Sequence, residues 1–118
     1  MQEQLYFYRA NIVSVYDGDT CRADIDLGLH IWLRNEPLRL ARINAPERRG
    51  GEKEKGLISA DFLRNLINGK EVIIETQKDK TGKYGRYIAN IWLPSKDGSY
   101  LNVNDYMVQK GYAEYKNY

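Results

Sequence analysis

The sequence predicts a small α+β fold, mainly β, in which strands build a barrel and two helices pack on it. Two stretches with different periods lead to this prediction. Residues 20–27, "TCRADIDL", alternate apolar and polar side chains, which is the period of a half-buried strand. Residues 54–68 place Ala60, Leu63, Leu66 and Ile67 on one stripe, which is the period of an amphipathic helix.

Size and composition limit the chain to one folded unit. A chain of 118 residues buries only about two-thirds of its unfolded surface, so we expect a single domain over residues 1–118. The net charge of +2 excludes polyanion binding of the histone kind. Positive charge is nevertheless concentrated, because residues 34–49 hold five arginines against two glutamates. This local field suits an anionic substrate, although basic residues also simply solvate loops.

Cysteine and histidine are too scarce for several common kinds of site. Cys21 is the only cysteine and His30 the only histidine, so neither an intrachain disulfide nor a thiolate or paired-histidine zinc site is expected. The start of the chain, "MQEQLYFYRA", shows no signal peptide and no membrane span. We therefore expect a cytoplasmic protein if the chain is complete, and a secreted one if a signal peptide was removed.

The strands near the N-terminus follow from alternation and turn residues. A first strand, "YRANIVSV", ends at the turn residues Asp17 and Gly18 and leads into residues 20–27. The following segment, "LHIWLRNEPLRLARI", predicts two extended pieces joined by a turn at residues 34–37.

The second half of the chain contains the helices and two further strands. Asn68 and Gly69 end the long helix as left-handed capping residues do. The strands "EVIIET" and "RYIANIWL" come next, and a short helix starts with Asn102 as its N-cap and stops at Gly111. A five-stranded, partly closed barrel with a helix between strands three and four is the OB arrangement, which commonly binds oligonucleotides. An SH3-like barrel also fits the strand pattern, but the inserted helix argues against it.

Several charged residues fall in loops or at strand ends. Taken singly, Asp19 in "DGDT", the run "RLARINAPER" and Arg86 in "KYGR" are explained by turns. Together they supply the parts of a metal-assisted phosphodiester hydrolysis. Asp19 and Asn44 offer oxygens to a hard cation, and arginine forks match phosphate oxygens. Glu47 is the one carboxylate beside that cluster and can accept a proton from water.

Five segments in this order resemble the staphylococcal nuclease (thermonuclease) family. They are "VYDGDT", "RLARINAPE", "SADFLRNLINGKEV", "DKTGKYGRYIANIW" and "VNDYMVQKGYAEY", and they span nearly the whole chain. The resemblance implies an OB-fold nuclease that depends on calcium and cuts DNA and RNA with little sequence preference. We further expect a monomer that prefers single strands and does not associate with a membrane.

The resemblance also assigns roles to residues. It implies that Arg39 and Arg86 hold the phosphate and stabilise its five-coordinate transition state. It implies that Glu47 holds or deprotonates the attacking water. Lys83 and Tyr84 resemble the residues that contact a terminal phosphate and the nucleotide.

The resemblance implies one calcium ion, with oxygen ligands from Asp19, Asn44 and the backbone of Ala45. Asn44 stands where familiar members have a second aspartate, and Ala45 where they have a threonine. An amide oxygen still coordinates calcium, but one negative charge is lost, so we expect weaker binding of the ion.

A longer hairpin between the Asp19 and Arg39 segments leaves two residues open to interpretation. His30 and Trp32 either extend the substrate surface by stacking a base or, in the case of Trp32, cover the end of the barrel. Two other functions stay possible from the sequence. One is a catalytically weakened OB-fold module that binds nucleic acid, and the other is a scaffold that binds a protein partner through exposed tyrosines.

Overall fold

The computed structural model describes residues 6–81 and 85–116. Its elements, in chain order, are β1 Phe7–Asp17, β2 Thr20–Gly28, β3 Ile31–Leu40, β4 Ile43–Asn44, a 3-10 turn Gly50–Glu52, α1 Lys53–Ile67, β5 Glu71–Thr81, β6 Tyr87–Pro94, β7 Tyr100–Asn102, α2 Val103–Gln109 and β8 Glu114–Tyr115.

Five strands form a closed barrel in the order β3-β2-β1-β5-β6. Neighbours in this order are antiparallel, and a parallel pairing of β3 with β6 closes the barrel, with Leu38 opposite Tyr87 and Leu40 opposite Ala89. Helix α1 lies in the chain between the third and fourth barrel strands, β3 and β5. The predicted five-stranded OB-fold barrel with two helices is therefore confirmed. No helix within the described residues is long and apolar enough to cross a membrane.

Helix α1 closes one side of the barrel with the stripe that the sequence predicts. Ala60, Leu63 and Ile67 are fully buried, and Leu63 and Ile67 join the barrel residues in one core. Leu66, the fourth member of the stripe, is partly buried and packs against that core. Truncating a buried leucine or isoleucine of this kind costs about 2–5 kcal/mol. At the end of α1, Gly69 takes the predicted left-handed backbone with φ of 76°, whereas Asn68 has φ of −61° and does not.

The predicted turn at residues 34–37 is wrong, because β3 runs through it as one strand. Asp24 of β2 explains the continuity. Its Oδ1 accepts a hydrogen bond from the backbone N of Asn35 at 2.8 Å, and its Oδ2 lies 3.2 Å from Nη1 of Arg34. The register shifts there, and Asn35 has φ of 55°. The residues that indicate a turn thus produce a bulge in a paired strand.

Helix α2 is attached to the barrel through a buried asparagine. Its N-cap is Asn102, as predicted, whose Oδ1 accepts from the backbone N of Asp105 at 3.0 Å. Asn104 is 0% exposed, and its Nδ2 donates to the carbonyl oxygens of Ala41 and Ala89. Its Oδ1 accepts from the backbone N of Ile91 at 3.1 Å. One side chain therefore binds three backbone groups, two in β6 and one in the turn between β3 and β4.

Candidate active site

A cavity of about 740 Å³ opens where the β1–β2 turn, the end of β3, the loop after β4 and the start of β6 meet. It is lined by six of the residues that the sequence singles out: Asp19, Arg39, Asn44, Ala45, Glu47 and Arg86. The other two, Lys83 and Tyr84, lie outside the described residues. Closure of the barrel brings positions from four separate segments to one place.

Asp19 is held rigidly in the two-residue turn between β1 and β2. Asp19 is only 6% exposed. Oδ2 accepts a hydrogen bond from the backbone N of Ala45 at 2.8 Å, and Oδ1 accepts one from Oγ1 of Thr20 at 3.0 Å. The backbone oxygen of Asp19 also accepts from the N of Leu40 at 2.8 Å. These bonds fix the carboxylate against both the β3 end and the loop after β4.

Arg39 draws two oxygen-bearing side chains to one nitrogen. Its Nη2 lies 3.3 Å from Oδ2 of Asp19 and donates to Oδ1 of Asn44, also at 3.3 Å. Nη1 donates to the backbone oxygen of Leu40 at 2.9 Å. Arg39 is only 9% exposed, so this ion pair is largely shielded from water. The carboxylate and the amide thus converge on one nitrogen of the guanidinium group.

The oxygens in the cavity fit a hard cation by their chemistry. Carboxylate, amide and carbonyl oxygens are the ligands that calcium prefers. Oδ1 of Asp17 is buried and has no hydrogen-bond partner among the described residues, so it is a further oxygen that could serve a cation. Among residues 6–81 and 85–116, no group of three or more His, Cys, Asp or Glu residues is arranged to hold a metal. A cation here would therefore depend on Asp19, on the buried oxygen of Asp17 and on neutral amide and carbonyl oxygens.

Asp17 carries a charge that the surroundings disfavour. Burial raises the pKa of Asp17, the neighbouring charge of Asp19 raises it further, and contacts with Arg48 partly offset both. Desolvation and like charge both penalise the ionised carboxylate. A positive charge in the cavity would relieve the same penalty.

Glu47 is the exposed carboxylate of the cavity, and its backbone packs directly on helix α1. A Cβ added to Gly56 of α1 would lie 2.0 Å from the backbone oxygen of Glu47. One added to Gly18 of the β1–β2 turn would lie 2.8 Å from Cβ of Ser59 and 2.9 Å from Cβ of Ala45. Two glycines therefore allow α1 to press against both loops that carry the site.

The charge of the cavity favours an anion. Arg86 stands just before β6, and its Nη1 donates to Oγ1 of Thr20 at 3.3 Å. Among the described lining residues, five are basic and three are carboxylates. The basic ones are Arg39, Arg48, Arg49, Arg86 and Lys116. Their excess of positive charge suits phosphate oxygens, which arginine contacts in bidentate fashion.

Arg42 does not line the cavity, although it belongs to the arginine-rich segment of residues 34–49. Its Nη1 lies 2.9 Å from Oδ1 of Asp105, and its Nη2 donates to Oδ1 of Asn90 at 3.0 Å. The hydroxyl of Tyr115 donates to the same Asp105 oxygen. Arg42 and Tyr115 therefore tie α2 to the barrel and do not line the cavity.

His30 and Trp32, the two residues that the sequence offers for base stacking, belong to the β2–β3 hairpin. His30 is at the tip of the β2–β3 hairpin, and Trp32 packs under the guanidinium of Arg34, 4.6 Å from its ring centroid. Neither of them lines the cavity. Tyr112 stacks on Phe62 of α1 at 4.2 Å between ring centroids, which places it beside the core.

Sequence reasoning missed several residues of the cavity. Tyr16, Asp17, Arg48, Arg49 and Lys116 all line it. Asp17, Arg48 and Arg49 could have been found from the sequence, because they lie within two residues of Asp19 or Glu47 in the chain. No sequence feature indicates Lys116, because the pairing of β8 with β4 brings it to the cavity.

Fold and site together define a class: an OB barrel, a fold that commonly binds oligonucleotides, with an anion-binding cavity at its strand ends. A family model described as staphylococcal nuclease homologue matches residues 37–118. The chain belongs to this nuclease family, as the sequence predicted.

Two curated proteins show moderate similarity to this chain. An uncharacterized protein of Methanocaldococcus jannaschii is 29% identical over 90% of this chain, and the thermonuclease of Staphylococcus hyicus is 26% identical over 98% of it. The alignments cover 58% and 62% of those two proteins, so this chain spans less than two-thirds of their length.

Proposed function

We propose that this chain is a calcium-dependent endonuclease that hydrolyses phosphodiester bonds of DNA and RNA with little sequence preference. The observation that carries the proposal is that Asp19, Arg39, Glu47 and Arg86 line one cavity. Membership of a nuclease family supports the same reaction class.

Each charged residue has a distinct part in the proposed reaction. Arg39 and Arg86 bind the phosphate and neutralise the charge that develops on its oxygens in the transition state. Glu47 accepts a proton from water while the water oxygen bonds to phosphorus and the ester bond to the leaving oxygen breaks. Because Glu47 is exposed at the cavity mouth, water from solvent reaches it directly.

Asp19, Asn44 and the backbone oxygen of Ala45 would hold one calcium ion. The bound ion would supply positive charge beside the phosphate oxygens. Asp19 is the one charged member of this set, so we expect an affinity below that of a site with two carboxylates.

Low sequence preference follows from the kind of contact. The proposed contacts from Arg39 and Arg86 go to phosphate, which carries no base identity. Lys83 and Tyr84 are proposed to contact the adjoining phosphate and nucleotide. Stacking on an aromatic ring is tolerant of base identity and needs an unpaired base, which supports a preference for single strands.

A second candidate function is an OB-fold module that binds nucleic acid but cuts it poorly. The observation in its favour is Asn44, which leaves Asp19 as the one charged ligand of the proposed calcium set. This module would retain the basic cavity and lose the cation.

The test compares Glu47→Gln with wild type on a labelled single-stranded oligonucleotide, in calcium and in EDTA. Glu52→Gln is the matched control, because Glu52 is also exposed and lines no part of the cavity. Removing a general base lowers a rate by about 10²–10⁴-fold. We expect a loss in that range for Glu47→Gln and none for Glu52→Gln, with cleavage abolished in EDTA.

Arg86→Ala is the second informative variant, whereas Arg39→Ala is a poor one. Arg39 is paired with buried Asp19, and removing one partner of a buried pair costs about 3–5 kcal/mol of stability. Equal cleavage by wild type and Glu47→Gln would refute the assigned role. Binding of the oligonucleotide without cleavage in any divalent cation would favour the binding module.

A further inference from the structure

A second cavity of about 450 Å³ adjoins the first one. It lies over the face of β1, β2 and β3, and its lining includes Ser14, Arg22 and Pro37. Three residues, Tyr16, Thr20 and Arg86, line both cavities. The two spaces are therefore neighbours, and they share Arg86, which the proposed function places on the phosphate.

The second cavity is positively charged and has no acidic lining. Arg22 and Arg86 are basic, and no aspartate or glutamate stands among its described lining residues. Arg22 is exposed and held in place, since its Nη1 donates to the backbone oxygen of Asn35 at 2.7 Å. Cys21 also lines this cavity, but burial raises the pKa of its thiol to about 12, so it adds no negative charge.

Tyr16 offers an aromatic surface to this second space. The guanidinium of Arg48 lies 4.9 Å from the ring centroid of Tyr16, and Nη1 of Arg48 donates to the Tyr16 backbone oxygen at 3.0 Å. Arg48 lines the first cavity and not the second. Tyr16 is still 47% exposed, so Arg48 leaves part of the residue open to solvent, and Tyr16 lines both cavities.

We propose that the second cavity is a nucleotide subsite that holds the nucleotide next to the scissile phosphate. Its base stacks on Tyr16, and Arg22 pairs with its outer phosphate. This subsite rests on the proposed function for the position of the scissile phosphate. It would make the protein bind a strand that crosses the cavity mouth and continues along β2, and not only a terminal nucleotide.

The test measures binding in EDTA, where no cleavage is expected, by fluorescence anisotropy. The probes are a labelled single-stranded hexathymidylate and, in competition, thymidine 5′-monophosphate. Tyr16→Ala removes the stacking surface, which is worth about 1–3 kcal/mol per base, so we expect roughly tenfold weaker hexanucleotide binding. Tyr16→Ala should change the affinity for the mononucleotide by less than about twofold, because the one phosphate of this probe occupies the first cavity and its base does not need the second.

Arg22→Gln gives an independent readout through salt dependence. Loss of one phosphate contact on a single strand lowers the slope of log K against log salt by about 0.7. Tyr100→Ala and Arg9→Gln are the matched controls, since both residues are exposed on strands and line neither cavity. The controls should leave affinity and slope unchanged.

Each outcome bears on one proposal or the other. The subsite is overturned if Tyr16→Ala weakens the binding of hexanucleotide and mononucleotide equally. It is also overturned if Tyr16→Ala leaves hexanucleotide affinity unchanged and Arg22→Gln leaves the salt slope unchanged. If these variants behave as expected but Glu47→Gln cuts like wild type, the subsite stands and the proposed reaction fails.

Discussion

Gly56 places the helix α1 closer to the candidate site than any side chain would allow. A Cβ at this position would lie 2.0 Å from the backbone oxygen of Glu47, 2.3 Å from its carbonyl carbon and 2.7 Å from the backbone N of Arg48. All three atoms belong to the backbone, which cannot rotate aside as a flexible side chain can. Gly56→Ala must therefore push α1 and the Glu47 loop apart.

The displacement can be worked from the contact distances. Ordinary contact begins at 3.4 Å, so the two backbones must separate by about 1.4 Å, the difference from 2.0 Å. A misplacement of about 1 Å can cost roughly 100-fold in rate, so we expect a fall of that size in kcat. Overpacking costs about 1–3 kcal/mol, against about 1 kcal/mol that alanine gains over glycine in a helix. The net loss of stability should be about 0–2 kcal/mol.

Two assays separate these effects. Cleavage of a labelled oligonucleotide in calcium measures the rate, and urea unfolding measures the free energy. Gly51→Ala is the control, because a Cβ at Gly51 meets nothing within 4 Å. If Gly56→Ala cuts at the wild-type rate and is stabilised by about 1 kcal/mol, the helix propensity alone acts and the packing argument is refuted.

Three further predictions concern the core, the thiol and the metal. Asn104→Ala should lose about 2 kcal/mol or more in urea unfolding, because the Ala41 oxygen and the Ile91 N–H lose the Asn104 side chain at about 1–3 kcal/mol each. The Ala89 oxygen keeps the backbone N of Ala41 as a donor. A loss below about 1 kcal/mol would contradict the role of Asn104 in holding α2 to the barrel. Burial raises the pKa of Cys21 from 9.0 to about 12, so above pH 9.0 the unfolded thiol releases a proton that the native one keeps. Stability should thus fall from pH 9.0 upward more steeply in wild type than in Cys21→Val, and parallel urea-unfolding profiles would exclude the effect. Asn44→Asp should lower the Kd for calcium in titration calorimetry, and an unchanged Kd would remove Asn44 from the ligand set.

Features that depend on neighbours in the chain could be predicted from the sequence. The alternation of residues 20–27 and the stripe of α1 both reflect which side chains one element presents to the core. The cap at Asn102 involves a residue three positions away. The segments around Asp19 and Glu47 were identified because their residue types suit phosphate chemistry and match the order of a known family.

Features that depend on distant pairing could not be predicted. The strand β4 has two residues, and it pairs with β8, which lies about 70 positions further along the chain. Arg42 stands in the same basic run as Arg39, yet its guanidinium binds Asp105 of α2. The residues next to Arg42 in the chain do not indicate that it binds Asp105 while Arg39 lines the cavity.

The sequence by itself determined the fold class, the helix and strand periods and the candidate reacting groups, because residue type and local spacing encode them. Only the tertiary structure decided which arginines face the cavity, that Lys116 joins it and that a second basic space opens beside Tyr16. These outcomes depend on how β3 closes on β6 and how α1 fits against two glycines. Close approach between segments far apart in the chain is set by packing of the whole core, which no short window of residues contains.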